Sequence, residues 1–298
     1  MDDFRLKVFR SVATNLSFTK AASEVFITQP AITKHIKELE SMYSTRLFER
    51  LGNAILLTAS GEILLKYTHQ ILSIYQEAFF DISSLQDIQK GSLSIGASST
   101  VGQYLIAPIL AQFHDKYPEV VLSLQNGNTE MIENSVLNHA CSLGIVEGKK
   151  QNPNLKYIDL MDDELVAVVH CKSKLAQHLK IKKDELCRIP LVLRERGSGT
   201  LEIIESALSE SGIKLSDLKV IMLLGGTESI KSFLEYSNCM AFLPVRAIKK
   251  EILNGDFKIV EIEDLIIKRK FWLIHLQGQP QMIVESFSRF ALNIYNKK

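Results

Sequence analysis

The loop Arg194-Glu195-Arg196-Gly197-Ser198-Gly199-Thr200 has the residue types of an anion cradle. Two arginines supply positive charge, and Ser198 and Thr200 supply hydroxyl donors. The glycines let the backbone curl. A helix opening after them would offer free N–H groups and the positive end of its dipole. Such a nest suits a carboxylate, a phosphate ester or a sulfur oxyanion. It is not a P-loop, because no Gly-Lys-Ser/Thr follows. The same logic recurs at Ser98-Ser99-Thr100, at Thr129 and at Gly225-Gly226-Thr227-Glu228-Ser229, each at a junction of strand and helix patterns. The plain alternatives are hydroxyls that only cap helices and arginines that only face solvent. Several such junctions meeting in one crevice would make a small-ligand pocket.

A second constellation sits near the start. Thr28-Gln29-Pro30 reads as a helix beginning, with a capping hydroxyl and a proline in the first turn. The helix it opens carries Ala31, Ile32, Ile36, Leu39 and Met42 on its apolar stripe. Gln29, Thr33, Lys34, His35 and Lys37 occupy its early and outward positions, where they can reach base edges or phosphates of a major groove. By pattern alone, a helical hairpin with a solvated polar face fits equally well.

Catalytic and metal signatures do not accompany these groups, and the chain reads as a non-enzyme. No Gly-x-Ser-x-Gly, His-Glu-x-x-His, Walker or post-strand Gly-x-Gly-x-x-Gly pattern occurs. Cys141, Cys171, Cys187 and Cys239 form no Cys-x-x-Cys and join no zinc-type cluster. They read as reduced, mostly buried thiols of a cytoplasmic protein, with a redox-sensing pair as the alternative. No metal and no cofactor is expected beyond a small-molecule effector.

The elements that position these groups follow from periodicity. Phe4, Leu6, Val8, Phe9, Val12 and Ala13 mark a first amphipathic helix, and Ser17 caps a second over Phe18 to Val25. Two short helices and a brief turn make a helix-turn-helix unit. The first ninety residues show no strand pattern. From Thr58 to about residue 88 the chain stays helical, and Ile71, Tyr75, Ala78, Ile82 and Leu85 are spaced 4, 3, 4 and 3 apart, with Leu64 one heptad earlier. That is a pairing seam for a second copy. Lys90-Gly91-Ser92 is a hinge. Strands then alternate with helices: strands near 93–96, 120–124, 142–146, 155–160, 164–169, 191–193, 220–224, 240–243, 257–262 and 270–275. One helix is expected over Val101 to His114, others over Glu130 to Asn138 and near 206, 232 and 248, and a last from Gln281 to Tyr295. Repeated βα units predict an α/β domain with a mostly parallel sheet and a ligand at the carboxyl ends of its strands.

Length and charge agree with this layout. At roughly 100–200 residues per domain, 298 residues suggest two or three domains. Hydrophobic residues at 46% and charged residues at 23% exclude a disordered chain. The net charge is +1, and residues 1–50 hold eight basic against six acidic residues. So small a surplus makes DNA affinity depend on a dimer. The acidic start Met1-Asp2-Asp3 leads us to expect no secretory signal, and with no apolar run of about 18 residues no membrane partner is expected.

The sequence resembles the LysR-type transcriptional regulators over its whole length. The resemblance rests on Ser17-Phe18-Thr19-Lys20-Ala21-Ala22, Thr28-Gln29-Pro30-Ala31-Ile32-Thr33, Ile36-Lys37-Glu38-Leu39-Glu40, Leu47-Phe48-Glu49-Arg50 and Leu57-Thr58-Ala59-Ser60-Gly61, in order and at the family's spacing. It implies an N-terminal all-α winged helix-turn-helix over 1–58, a linker and dimerisation helix over 59–90, and a periplasmic-binding-protein-like effector domain over 91–298. That α/β domain would have two lobes, 91–163 with 266–298 and 164–265. DNA contacts would fall to Thr28, Gln29, Pro30, Thr33, Lys34, His35, Lys37 and Arg50, with a wing at 52–57. Cleft residues would be Ser98, Ser99, Thr100, Thr129, Glu147, Thr200 and Glu228, joined by Arg194, Arg196 and Ser198 of the loop. The loop resembles that of regulators of sulfur assimilation and carbon fixation, which implies a small anionic effector.

The chain departs from the family's pattern in four places. Thr33 stands where serine is commoner, and Ser44 where glycine is frequent. The wing tip Gly52-Asn53-Ala54 lacks a basic residue suited to a narrow minor groove. Ser237-Asn238-Cys239-Met240 replaces a common glycine pair. Expected partners are promoter DNA, a second copy as dimer or dimer of dimers, the effector and RNA polymerase. The rival reading is a solute-binding sensor whose N-terminal helices only dimerise.

Overall fold

The computed structural model describes residues 4–51, 54–84, 90–149, 152–178 and 180–296. Two compact units emerge: Met1–Gly91 with Asn138–Ala140, and Ser92–Leu137 with Cys141–Lys298. Among the described residues no helix is long and apolar enough to cross a membrane. The four cysteines are free; Cys141 and Cys239 are buried, and Cys171 and Cys187 partly so.

The first unit opens with α1 (Phe4–Asn15), α2 (Phe18–Glu24) and α3 (Gln29–Tyr43), packed through Val8, Phe9, Val12, Ala21, Ile32 and Leu39. The helix starts are chemically marked. Ser17 accepts the Lys20 N–H, Thr28 accepts that of Ala31, and Pro30 sits in the first turn of α3, where no N–H is needed. α3 ends at Ser44 in a left-handed conformation, φ +50°. Glu40 Oε1 accepts the Leu47 N–H at 2.9 Å and fastens the chain that leaves the helix.

The expectation of no strand in the first ninety residues is corrected. β1 (Phe48–Leu51) and β2 (Ala54–Leu57) pair antiparallel, with Phe48 opposite Leu57 and Arg50 opposite Ile55. The wing therefore starts at 48 rather than 52. Four-residue strands are too short to show an alternation that sequence can read. The wing tip, Gly52-Asn53, lies outside the described residues.

Thr58 closes the hairpin and opens α4 (Ala59–Ser84): its hydroxyl donates to the Arg46 carbonyl at 2.7 Å and accepts the Gly61 N–H at 3.0 Å. Twenty-six residues make a helix about 39 Å long. Leu64 and Leu72 point into the core of this unit.

The second unit begins with β3 (Gly91–Ser98), α5 (Ser99–Tyr104), α6 (Ile106–Lys116), β4 (Val120–Gly127), α7 (Thr129–Leu137) and β5 (Leu143–Glu147). The single helix expected over 101–114 is broken at Leu105. Pro108 explains the break: its ring excludes the carbonyl four residues back, at Tyr104, and it has no N–H to give. Then come β6 (Leu155–His170), β7 (Lys180–Ile181), β8 (Leu191–Arg194), α8 (Gly199–Glu210), β9 (Val220–Leu224) and α9 (Thr227–Glu235). The chain closes with β10 (Met240–Pro244), α10 (Lys249–Asn254), β11 (Phe257–Ile262), β12 (Ile267–Leu276) and α11 (Met282–Asn296).

All ten of these strands join one sheet, with the main order β4-β3-β5-β12-β6-β10-β8-β9, while β11 pairs with β6 and β7. The sheet is mixed, not mostly parallel. β3–β5, β8–β9, β8–β10 and β7–β11 are parallel, but β6 and β12 run antiparallel to each other and to β5, β10 and β11. These two long strands carry the chain between the halves of the sheet.

β6 also replaces the two strands expected at 155–160 and 164–169. Asp162-Asp163-Glu164 looks like a turn in sequence. In the sheet it faces Lys270, Arg269 and Lys268 of β12, residue for residue. Cross-strand charge pairing keeps the acidic run extended.

Candidate functional site

The outer face of α3 is built by its own periodicity. Ile32, Ile36 and Leu39 are buried, so Gln29, Pro30, Lys34 and Lys37 must face solvent. Thr33 lies beside them, its hydroxyl donating to the Gln29 carbonyl at 3.1 Å. Pro30, Thr33, Lys34, Lys37, Glu38, Ser41 and Met42 line an open concavity of about 720 Å³, with Arg5 of α1 on its wall. Sequence reasoning missed Arg5, because only the packing of α1 on α3 brings it there.

His35 corrects an expectation. Its ring meets Phe4 edge-on at 5.5 Å and lies 3.5 Å from Glu38, so it turns toward α1 and not outward. Arg50 belongs to β1, and its side chain lies outside the described residues.

Along α4, Ile63, Tyr67, Ile71, Ile74, Phe79 and Ile82 are exposed, as are Tyr75 and Ala78. This apolar row includes the expected positions 71, 75, 78 and 82 and extends toward the helix start. Leu64 is corrected: it is 8% exposed and packs with Leu72 in the core of its own unit. Leu85 lies outside the described residues.

In the second unit, two helix starts converge on one carboxylate. Glu147 ends β5 and is 1% exposed. Thr200 donates to its Oε1 at 3.0 Å, Thr100 to the same oxygen at 3.4 Å, and Ser98 to Oε2. Arg269 Nη1 lies 3.6 Å from Oε1 and donates to Thr200 Oγ1 at 2.8 Å. Thr200 therefore passes a hydrogen bond from the guanidinium to the carboxylate. Asp163 holds the rest of Arg269: Nε donates to Oδ2 at 2.8 Å, while Nη2 is at 2.7 Å, within ion-pair distance but off the hydrogen-bond direction. Sequence reasoning missed Arg269 and Asp163, although basic and acidic triplets inside apolar strand patterns were their signal.

The glycines of the 194–200 loop have separate reasons. Gly197 has φ +80°, a conformation that side chains resist. Gly199 seats α8 against β5: a Cβ there would lie 2.0 Å from the Glu147 carbonyl oxygen and 2.6 Å from Thr129 Oγ1.

Arg194 is buried beside this cluster. It grips Glu195 in a two-pronged ion pair at 2.8 and 2.9 Å and donates from Nη2 to Ser99 Oγ at 3.4 Å. Burial alone would raise the Glu195 pKa, but the guanidinium outweighs it and holds the carboxyl below its usual range. Nη1 of Arg194 and Oγ of Ser198, both buried, have no hydrogen-bond partner among the described residues.

Three predicted residues do different work. Thr129 spends its hydroxyl on the backbone, donating to the Glu147 carbonyl at 2.8 Å and accepting the Gly199 N–H at 3.2 Å. Arg196 is exposed and lines a pocket of about 460 Å³ together with Thr129, Ser198, Gly199, Glu130, Glu133, Glu202 and Glu205. Glu228 accepts from Tyr104 Oη and from Lys231 Nζ, the latter at 3.0 Å. Burial and the bond to Glu228 push the Tyr104 hydroxyl far above its usual pKa.

Residues 4–62 match the family described as bacterial regulatory helix-turn-helix protein, lysR family, and residues 86–293 match the LysR substrate binding domain. The chain belongs to the LysR family of transcriptional regulators.

It is a LysR-type DNA-binding regulator with an effector-binding domain. A "probable RuBisCO transcriptional regulator" of Porphyra purpurea is 33% identical over 298 residues, spanning 98% of this chain and 93% of the relative. One of the same description from Guillardia theta is 31% identical over 295 residues, spanning 98% and 95%. The LysR fold extends over the full length: the crystal structure of CbnR, a LysR family regulator, matches with a TM-score of 0.71 at 18% identity, over 99% of both chains. The regulatory domain of Synechocystis PCC6803 CcmR, in complex with 2-PG, matches with a TM-score of 0.62 at 24% identity, over 68% of this chain and 97% of that one.

Proposed function

We propose that this LysR-type regulator acts in the cytoplasm on promoters with two-fold-related half-sites, as a dimer or dimer of dimers joined through the exposed apolar row of α4. Residues 1–58 bind DNA, 59–90 link and pair, and 91–298 sense the effector through lobes 91–163 with 266–298 and 164–265. Gln29, Pro30 and Thr33 read bases, while Lys34 and Lys37, helped by Arg5, hold phosphates. The effector is a small molecule with an anionic end, held near Arg194, Ser198 and the start of α8. Binding favours one lobe arrangement over another and so changes the spacing of the DNA-binding pairs and the contact with RNA polymerase.

The observation that carries this reading is the meeting of Ser98 and Thr100, from one proposed lobe, with Thr200, from the other, beside the unpartnered Nη1 of Arg194. A ligand placed there touches both lobes at once. Relatives named probable RuBisCO transcriptional regulators support the carbon-fixation subgroup. Domains of similar fold bound to 2-PG and to shikimate support a small acid as ligand.

The test uses duplex DNA selected in vitro from a random pool by the full-length chain. Gln29→Ala with Thr33→Ala should weaken the selected site by about 1–3 kcal/mol per lost base contact and leave non-specific binding intact. Lys37→Ala should lower the slope of log K against log salt by about one. Selected-site affinity that survives the Gln29 and Thr33 double variant would remove α3 as the reading helix.

A further inference from the structure

Building on the proposed effector cleft, we propose that Glu147 is an internal acceptor that fills the hydroxyl cradle of this cleft and selects for ligands that bring hydrogen-bond donors to it. The ligand class is a hydroxy or amino acid, not a bare oxyanion.

The proposal follows from counting hydrogens. Ser98, Thr100 and Thr200 have one hydroxyl hydrogen each, and each gives it to the Glu147 carboxylate. None remains for an incoming anion. Arg269, the cation of the cradle, donates to Asp163 through Nε and to Thr200 through Nη1, while its Nη2 lies 2.7 Å from Asp163 without a hydrogen bond among the described residues. An anion that enters the cradle meets a buried carboxylate of like charge, in a place where water and salt screen poorly.

The donors left over lie next door. Arg194 Nη1 and Ser198 Oγ are buried and without partners among the described residues. Arg194 touches Ser99, the residue between two of the donors to Glu147. An acid that carries a hydroxyl or ammonium group satisfies both halves: its anionic end goes to Arg194 and Ser198, its donor to Glu147. Sulfate satisfies one half and is repelled by the other. The carboxylate also gives this chain a resting occupant, because it ties the start of α5 to the start of α8 before any effector arrives.

The experiment compares the purified full-length wild type with Glu147→Gln and Glu147→Ala, titrated with sulfate and with phosphate in thermal-shift and calorimetric assays. Both variants are expected to bind one of these anions at least about tenfold more tightly than the wild type, since Glu147→Ala frees the three hydroxyls and Glu147→Gln removes the like charge and leaves one acceptor oxygen in place of two. Wild-type affinity equal to that of the variants overturns the proposal, and so does a lack of anion binding by all three proteins. Where neither variant keeps its native circular dichroism, the wild type decides. A saturable shift with glycolate or glycine, and none with sulfate or phosphate, supports the proposal; any other pattern overturns it. DNA binding by the same preparations reports separately on the regulator reading. A chain that binds its selected DNA but fails the anion comparison keeps its function and loses this role for Glu147.

Discussion

Asp163 and Arg269 face each other across β6 and β12, joined by a 2.8 Å hydrogen bond, with side chains 3% and 0% exposed. The pair stands where both long strands pass between the halves of the sheet. Arg269 also reaches Thr200 at 2.8 Å, so one guanidinium serves the crossover and the cradle together.

Asp163→Ala should therefore destabilise the effector-binding unit by about 3–5 kcal/mol, because it leaves a buried cation without its partner. Asp163→Ala with Arg269→Leu removes that cation but leaves the buried Glu147 carboxylate without one, so the double variant should lose at least as much. Urea unfolding curves measure both. A single-variant loss below about 1 kcal/mol would show that water compensates the cation.

Ser44 carries a left-handed backbone, φ +50°, at the end of α3. A side chain pays roughly 1–2 kcal/mol for that conformation, and glycine does not, though glycine gives back about 0.4–1 kcal/mol through its freer unfolded chain. Ser44→Gly should stabilise the DNA-binding unit by about 0.5–1 kcal/mol, read as a raised melting temperature. An unchanged or lowered value would mean that the serine hydroxyl supplies a compensating bond.

His69 on α4 is held neutral, its pKa lowered from 6.5 to about 4, chiefly by burial and then by Arg10. A histidine with a depressed folded pKa favours the native state fully only above its unfolded value. As pH falls below 6.5 the unfolded chain takes up the proton and the folded one does not, so stability declines until about pH 4. His69→Gln should flatten that decline in denaturation series between pH 7 and 4. An identical slope in the variant would assign the pH dependence to other groups.

Much of this was legible from local chemistry. Ser17 and Thr28 announced their helices because a capping hydroxyl acts within three residues. The strand and helix alternation after residue 91 came through because half-buried and fully buried elements have distinct periods. The 194–200 loop was readable as a donor-rich turn, since glycines, hydroxyls and arginines declare themselves by type. Less legible was where each group would aim. Arg196 and Ser198 are two residues apart, yet one is exposed and the other buried. Leu64 fits the heptad spacing but faces inward, because helix periodicity identifies a stripe without naming what covers it.

By itself the sequence determined the starts of α2 and α3 and the polar outer face of α3, which depend on interactions a few residues apart. Tertiary structure alone decided that Asp162-Asp163-Glu164 would be strand rather than turn, because their partners lie more than a hundred residues away on β12. It also decided that Glu147, and not a ligand, would receive the hydroxyls of Ser98, Thr100 and Thr200. Hydrogen bonds are directional and short-ranged, so which acceptor a hydroxyl finds depends on how distant segments are brought together.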